Sequence, residues 1–168
     1  MDRRDREFAE FAQTRSTALR RTAFLLCGDW QRAEDLVQTA LVKLYVSWHR
    51  VNRDGNVDAY VRTILARTAI DEFRRANRRR EHLVDDPPDL PTHQADPENA
   101  VDVQRVLNRL PSGQRAVIVL RYWEDLSVTE TASTLRVSEG TVKSQTAKAL
   151  ARMRTLLGPG TITFEELP

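Results

Sequence analysis

The 168 residues hold one cysteine, six glycines, three histidines and three lysines. A lone cysteine, Cys27, excludes an intramolecular disulfide and a thiolate metal cluster; beside Leu25 and Leu26 it reads as a small buried hydrophobe. His49, His82 and His93 fall in or beside loops without partner motifs, and no glycine-rich phosphate loop is present. No catalytic group, metal or cofactor is therefore expected. No apolar run approaches the roughly eighteen residues of a membrane span. The start, Met1 to Glu10, is charged and has no apolar signal core, so a cytoplasmic protein is expected. Sustained apolar–polar alternation, the mark of a strand, is also missing. What remains is an all-α reading of a chain that is 40% hydrophobic and 30% charged, enough for one domain or two small ones.

The net charge is only +2, but it is unevenly distributed. Residues 1–80 carry 17 Lys/Arg against 11 Asp/Glu, residues 81–100 carry none against 6, and residues 101–168 carry 9 against 7. Two cationic segments separated by an anionic, proline-containing one point to two nucleic-acid-facing domains and a linker. The 23 arginines among the 26 basic residues reflect a GC-rich genome before any functional demand.

From Asp5 to about Leu26, the positions Phe8, Phe11, Ala12, Leu19, Ala23 and Leu26 make an amphipathic helix or helix pair, with Gly28 as a stop and Asp29 as the next cap. In the following helix Ala33, Leu36, Val37, Ala40, Leu41, Leu44, Tyr45 and Trp48 recur at three- and four-residue steps and face a core. Glu34, Asp35, Gln38 and Thr39 lie opposite. His49 to Asn56 reads as a polar loop with Asn52, Asp54, Gly55 and Asn56 as turn residues.

A helix from about Val57 to Arg80 buries Tyr60, Val61, Ile64, Leu65, Ala69 and Phe73. Its other faces are crowded with Arg62, Arg67, Arg74, Arg75, Arg78, Arg79 and Arg80. One or two cations would satisfy the helix dipole; five between residues 74 and 80 point instead to a polyanion. Glu81 to Pro97 holds Pro87, Pro88, Pro91 and Pro97 with five carboxylates, a linker composition. Fully extended, it reaches at most roughly 60 Å, beyond the about 34 Å of one duplex turn.

Val101, Val103, Val106, Leu107 and Leu110 form the next helix. Pro111 ends it, and Ser112 is read as the cap of another that runs through Ala116, Val117, Leu120 and Trp123. Leu126 to Met153 then reads as a helix-turn-helix. Ser127 and Glu130 form a capping-box signal for a helix carrying Ala132 and Leu135 inward. Ser138 caps a second, in which Val142, Thr146, Ala149, Leu150 and Met153 face in while Lys143, Ser144, Ala147 and Lys148 face out. Small and cationic side chains on an exposed helix suit a major-groove reader. Gly158-Pro159-Gly160 breaks the pattern, and Thr161 to Pro168 is a tail.

The segments Ala33-Glu34-Asp35-Leu36-Val37-Gln38, Ala69-Ile70-Asp71-Glu72-Phe73-Arg74-Arg75, Leu110-Pro111 with Gln114-Arg115, and Gly140-Thr141-Val142-Lys143-Ser144 together resemble an extracytoplasmic-function (ECF) sigma factor of bacterial RNA polymerase. The likeness extends over residues 5–156 and is greatest to the SigE-like group of actinomycetes. It implies that residues 1–80 are sigma region 2, 81–97 a linker, 98–157 sigma region 4 and 158–168 a tail. It implies that Glu34, Asp35, Gln38 and Thr39 face core polymerase. Arg50, Asn52, Arg53, Asn56, Arg62, Arg67, Arg74, Arg75 and Arg78 would hold the minus-ten element, and Thr141, Lys143, Ser144, Gln145, Lys148 and Arg152 the minus-thirty-five element. A non-enzymatic specificity subunit with promoter DNA, core polymerase and an anti-sigma factor as partners is the expectation.

Three departures from the family pattern stand out. Arg67 and Thr68 replace the Asn common before Ala69-Ile70-Asp71, Arg136 replaces the usual turn glycine, and Gln145 and Leu150 stand where many relatives carry Arg. A second reading of the same helix-turn-helix is a regulator that binds DNA as a dimer, with the N-terminal helices as its dimerisation or ligand module.

Overall fold

Asp2 starts the first helix, α1 (Arg3–Cys27), by accepting the Arg3 N–H at 2.6 Å. It is one continuous helix rather than a pair, and it stops at Gly28, whose φ of 76° lets its N–H return to the Phe24 carbonyl at 2.7 Å. Asp29 then caps α2 (Trp30–Asp54) through the Arg32 N–H at 2.8 Å. In this computed structural model, residues 2–81 and 98–158 are described, and every element among them is helical.

The apolar stripe of α2 faces the core as expected: Ala33, Leu36, Val37, Ala40, Leu44 and Trp48 are each at most 3% exposed. Tyr45 lies at the rim, with its hydroxyl donating to Asp5 at 2.7 Å. The loop expected over residues 49–56 is instead largely helix. Burial of Val51 holds the last turns of α2 in place as far as Asp54, and Gly55 supplies the left-handed stop at φ 73°. Helix α3 (Val57–Glu81) follows at once. Two short turns thus fold α1, α2 and α3 into a three-helix unit.

The second half comprises α4 (Glu98–Asn108), α5 (Ser112–Ile118), α6 (Val128–Leu135) and α7 (Glu139–Leu157). Ser112 is the first residue of α5 and not its cap; Pro111, with φ −52°, sets the entry without a side-chain bond. Helix α5 widens into a π-helical turn, Val119–Trp123, closed by the Glu124 N–H on the Val119 carbonyl at 3.0 Å. Trp123 points outward, 39% exposed.

The two halves pack on one another. Ala116 and Val119 from the second half are buried in the same cluster as Leu36, Leu44 and Leu65 of the first. Ala66 of α3 packs with Leu120 and Leu126. Val106, Leu107, Leu110, Ile118, Ala149 and Met153 form a smaller core between α4, α5 and α7. Of the expected linker, Glu81 ends α3, while residues 82–97, His82 and His93 among them, and the tail beyond Gly158 lie outside the described residues. No described helix is long and apolar enough to cross a membrane.

Candidate nucleic-acid and polymerase interfaces

The helix-turn-helix is built by reciprocal caps. The Glu130 N–H donates to the Ser127 hydroxyl at 3.1 Å, and the Ser127 N–H donates to the Glu130 carboxylate at 2.7 Å. That backbone donor holds the Glu130 carboxyl below its usual range. Arg136 occupies the turn at φ 55° and ψ 46°, so this position does require the left-handed conformation and a non-glycine residue supplies it. The Thr141 N–H donates to the Ser138 hydroxyl at 3.0 Å and starts α7. Across the turn, the Thr129 hydroxyl donates to Glu139 at 2.7 Å and fixes α7 relative to α6.

Within α7, Val142, Ala149 and Met153 are buried against the core, while Thr146 and Leu150 are half-buried. Thr141, Lys143, Ser144, Ala147, Lys148, Ala151 and Arg152 are exposed along the opposite side, and Gln145 sits half-buried at its edge. The side chains expected to read DNA therefore share one accessible face, with Gln145 marginal to it.

The polar face of α2 is also accessible. Asp35 and Gln38 are exposed, Thr39 is half-buried, and Glu34 forms a 2.7 Å ion pair with Arg20. One and two turns further along stand Val42 and Val46, 64% and 77% exposed. Both lie outside the set expected to face polymerase. Their signal was two β-branched apolar residues out of phase with the core stripe, four residues apart on the line of Gln38.

The arginine-rich set is divided. Arg50, Asn52 and Asn56 are exposed around the end of α2, and Asn52 donates to Glu7 at 3.2 Å. Arg74, Arg75 and Arg78 are exposed on the last turns of α3. The backbone of Arg53 lies in α2. Arg62 and Arg67 instead turn toward the second half. Arg62 forms a 2.8 Å ion pair with Glu124, whose other oxygen accepts the Thr22 hydroxyl. Arg67 donates to the Thr134 carbonyl at 2.8 Å and the Ser133 carbonyl at 3.1 Å, the open C-terminal end of α6. Burial, and then the nearby charge of Arg136, push the Arg67 guanidinium below its ordinary value.

A third arginine crosses in the other direction, and the sequence reading gave it no role. Arg115 is 5% exposed and donates to the carbonyls of Leu26 at 3.0 Å, Asn108 at 2.9 Å and Leu110 at 3.4 Å. Its guanidinium lies 5.0 Å from the Phe73 ring centre. Burial lowers its pKa to about 10. It remains charged at neutral pH.

A three-helix unit with an exposed α2 face, joined to a helix-turn-helix with a cationic reading face, defines a two-part DNA-binding protein of the sigma-70 class. Residues 11–79 match the family model for sigma-70 region 2, and residues 100–153 match that for sigma-70 region 4. The RNA polymerase sigma-E factor of Streptomyces coelicolor is 40% identical over 150 residues, covering 88% of this chain and 84% of that protein. The ECF sigma factor SigM of Mycobacterium tuberculosis is 34% identical over 140 residues, covering 83% and 71%. The sigma factor RpoE of Bartonella quintana, solved in complex with the anti-sigma factor NepR, superposes with a TM-score of 0.71 at 25% identity, covering 92% of this chain and 98% of that one. The chain belongs to the ECF sigma factors of bacterial RNA polymerase, in the SigE-like group.

Proposed function

We propose that the chain acts as the promoter-specificity subunit of RNA polymerase, in the cytoplasm, and performs no covalent chemistry of its own. Core polymerase docks on the exposed face of α2, through Asp35, Gln38 and Thr39 with Glu34 beside them. Val42 and Val46 extend that surface with apolar area, which a polar rim around it would orient. The outer face of α7 reads the minus-thirty-five duplex: Lys143, Lys148 and Arg152 on phosphates, and Thr141, Ser144 and Gln145 near base edges. Arg50, Asn52, Arg53, Asn56, Arg62, Arg67, Arg74, Arg75 and Arg78 hold the minus-ten strand as it unstacks. Residues 1–80 and 98–157 then act as separate grips, joined by the acidic segment 81–97. An anti-sigma factor is proposed as a further partner, by likeness to RpoE with its NepR.

The observation that carries this reading is the simultaneous display of two faces, the cationic side of α7 and the polar–apolar side of α2. A dimeric regulator needs the first and has no use for the second, and the sigma relatives do not favour it. Transcription with core polymerase on genomic DNA is the test. Start sites that require the chain are expected, and the double change Asp35→Ala/Gln38→Ala should weaken co-elution with core enzyme while leaving helicity intact. Specific duplex binding by the free chain with no polymerase complex would refute it.

A further inference from the structure

Among the cationic and small side chains at the front of the helix-turn-helix stands an exposed carboxylate, that of Glu139, the first residue of α7. An acidic residue in a first turn ordinarily serves the helix dipole. Glu139 is held more firmly than that requires, because its Oε1 accepts the Thr129 hydroxyl at 2.7 Å from the other side of the turn. Thr129 lies in the first turn of α6, which the Ser127–Glu130 box already fixes. The carboxylate is thus pinned at the mouth of α7, and its second oxygen makes no bond among the described residues. Its neighbours are ordered as well. The Ser138 and Thr141 hydroxyls share a hydrogen bond at 2.9 Å. Gly140 beside them is exposed, and a Cβ there would meet only the Ser138 Oγ, at 3.8 Å, an ordinary contact. Nothing among the described residues requires glycine at this helical position, where alanine is the more stable choice. The bare backbone leaves room for a body outside the chain to come close.

We propose that Glu139 is a base-reading residue that selects cytosine at one position of the minus-thirty-five element, with Thr129 as its positioning residue. The inference rests on the assignment of the outer face of α7 to that duplex. The N-terminal residues of a recognition helix are the ones that reach base edges. In the major groove cytosine presents the N4 amino donor alone, guanine presents two acceptors, thymine an acceptor beside its methyl, and adenine an N7 acceptor beside its N6 amino group. A carboxylate only accepts. It therefore bonds to cytosine unopposed, meets lone pairs at guanine and thymine, and meets N7 beside the donor at adenine. Phosphate repels it at every sequence. Glu139 thus adds little to affinity and acts by rejecting wrong bases, the opposite of Lys143 and Lys148, whose attraction to phosphate carries no sequence information. The bond from Thr129 serves the same end, because a freely turning glutamate could swing into solvent and tolerate any base.

The test is transcription by core polymerase with the full chain from a template pool in which the minus-thirty-five element is randomised and each transcript is counted by a barcode. Wild type should favour cytosine at one position by about fivefold, the low end of what a single wrong base pair costs. Glu139→Gln should move that preference to adenine, whose N6 and N7 a carboxamide matches, and Glu139→Ala should level it. Neither should alter the other positions. Thr129→Val, which keeps the shape and drops the hydroxyl, should leave cytosine first but narrow the ratio, while Thr129→Ser should retain it in full. A purely structural bridge would lower total transcription or the unfolding midpoint and leave the ranking of bases unmoved. The proposal is overturned if both Glu139 variants match wild type at every position, or if their preferences fall evenly across the element; a full ratio in Thr129→Val overturns the positioning role. A wild-type pool with no preference at any position, or Lys143→Ala/Lys148→Ala with undiminished transcription, would overturn the assignment of α7 itself.

Discussion

Replacing Arg115 by Ala is the sharpest probe of how the two halves are joined. In the folded chain the guanidinium makes two bonds of 3.0 Å or less, to the Leu26 and Asn108 carbonyls, and a longer one of 3.4 Å to Leu110. Hydrogen bonds from a charged donor contribute about 1.5–3 kcal/mol each, and a desolvated cation over a ring such as Phe73 contributes about 0.5–2 kcal/mol. Against this stands the cost of burying the charge. A pKa lowered by burial to about 10 corresponds to on the order of 3 kcal/mol against the charged form. Two good bonds and the ring contact outweigh that cost, so Arg115→Ala should destabilise by about 1–5 kcal/mol, with the stranded carbonyls and the cavity placing it toward the upper end.

Arg115→Met separates the contributions, because it fills the volume and removes the buried charge while still stranding the carbonyls. It should be the milder change. Leu26 belongs to α1 and Asn108 to α4, so the loss falls on the seam. Urea unfolding followed by tryptophan fluorescence and by circular dichroism should show a lower midpoint and transitions that no longer coincide. The effect should be flat across neutral pH, where Arg115 is charged in both the folded and the unfolded chain. From about 10 up to the ordinary arginine range the unfolded chain binds the extra proton, so wild-type stability gains with rising pH there and the gap to Arg115→Ala widens. An Ala variant within about 0.5 kcal/mol of wild type, with coincident transitions, would refute the seam argument.

Ser127→Ala removes the first cap of the helix-turn-helix and should cost about 1 kcal/mol in thermal or urea unfolding. The Glu130 carboxyl is held below its usual range, so its contribution is complete above the unfolded carboxyl pKa and disappears as pH falls through the lowered folded value; Glu130→Gln should abolish that acid limb of the stability profile. Gly28→Ala should destabilise by about 1 kcal/mol from the left-handed backbone, and further from overlap with Asn108. Adding Asn108→Ala should recover the overlap part only. Arg136→Gly, at φ 55°, should raise the unfolding midpoint, with a stabilisation of up to about 1 kcal/mol, and unchanged or lower stability would mean that Arg136 makes a compensating contact.

Local signals were readable along the chain because caps and stripes are encoded within four or five residues. The α2 stripe, Asp29, the Ser127–Glu130 box and Ser138 all hold. The left-handed turn at Arg136 followed from the position where a glycine is usual. Residues 49–56 misled because Asn52, Asp54 and Gly55 carry turn propensity, while burial of Val51, which keeps the helix going, is a tertiary fact. Ser112 misled in the same way: a good cap residue follows a proline that already sets the helix entry.

The joint between the halves was beyond reach of pattern for a different reason. Ala116 and Val119 are equally apolar whether they face their own half or the other, so periodicity says that they are buried and not by what. Arg115 looks like any solvated arginine in sequence, since its partners are main-chain carbonyls at two helix ends and every residue carries one. The same holds for Arg67. Its assignment to DNA came from the family resemblance, but its acceptors, the carbonyls of Ser133 and Thr134, leave no mark in the side-chain sequence. Arg62 differs in having a carboxylate partner, Glu124, sixty-two positions away. Co-variation between two positions could register a side-chain pair of that kind, and could not register a bond to a main-chain carbonyl.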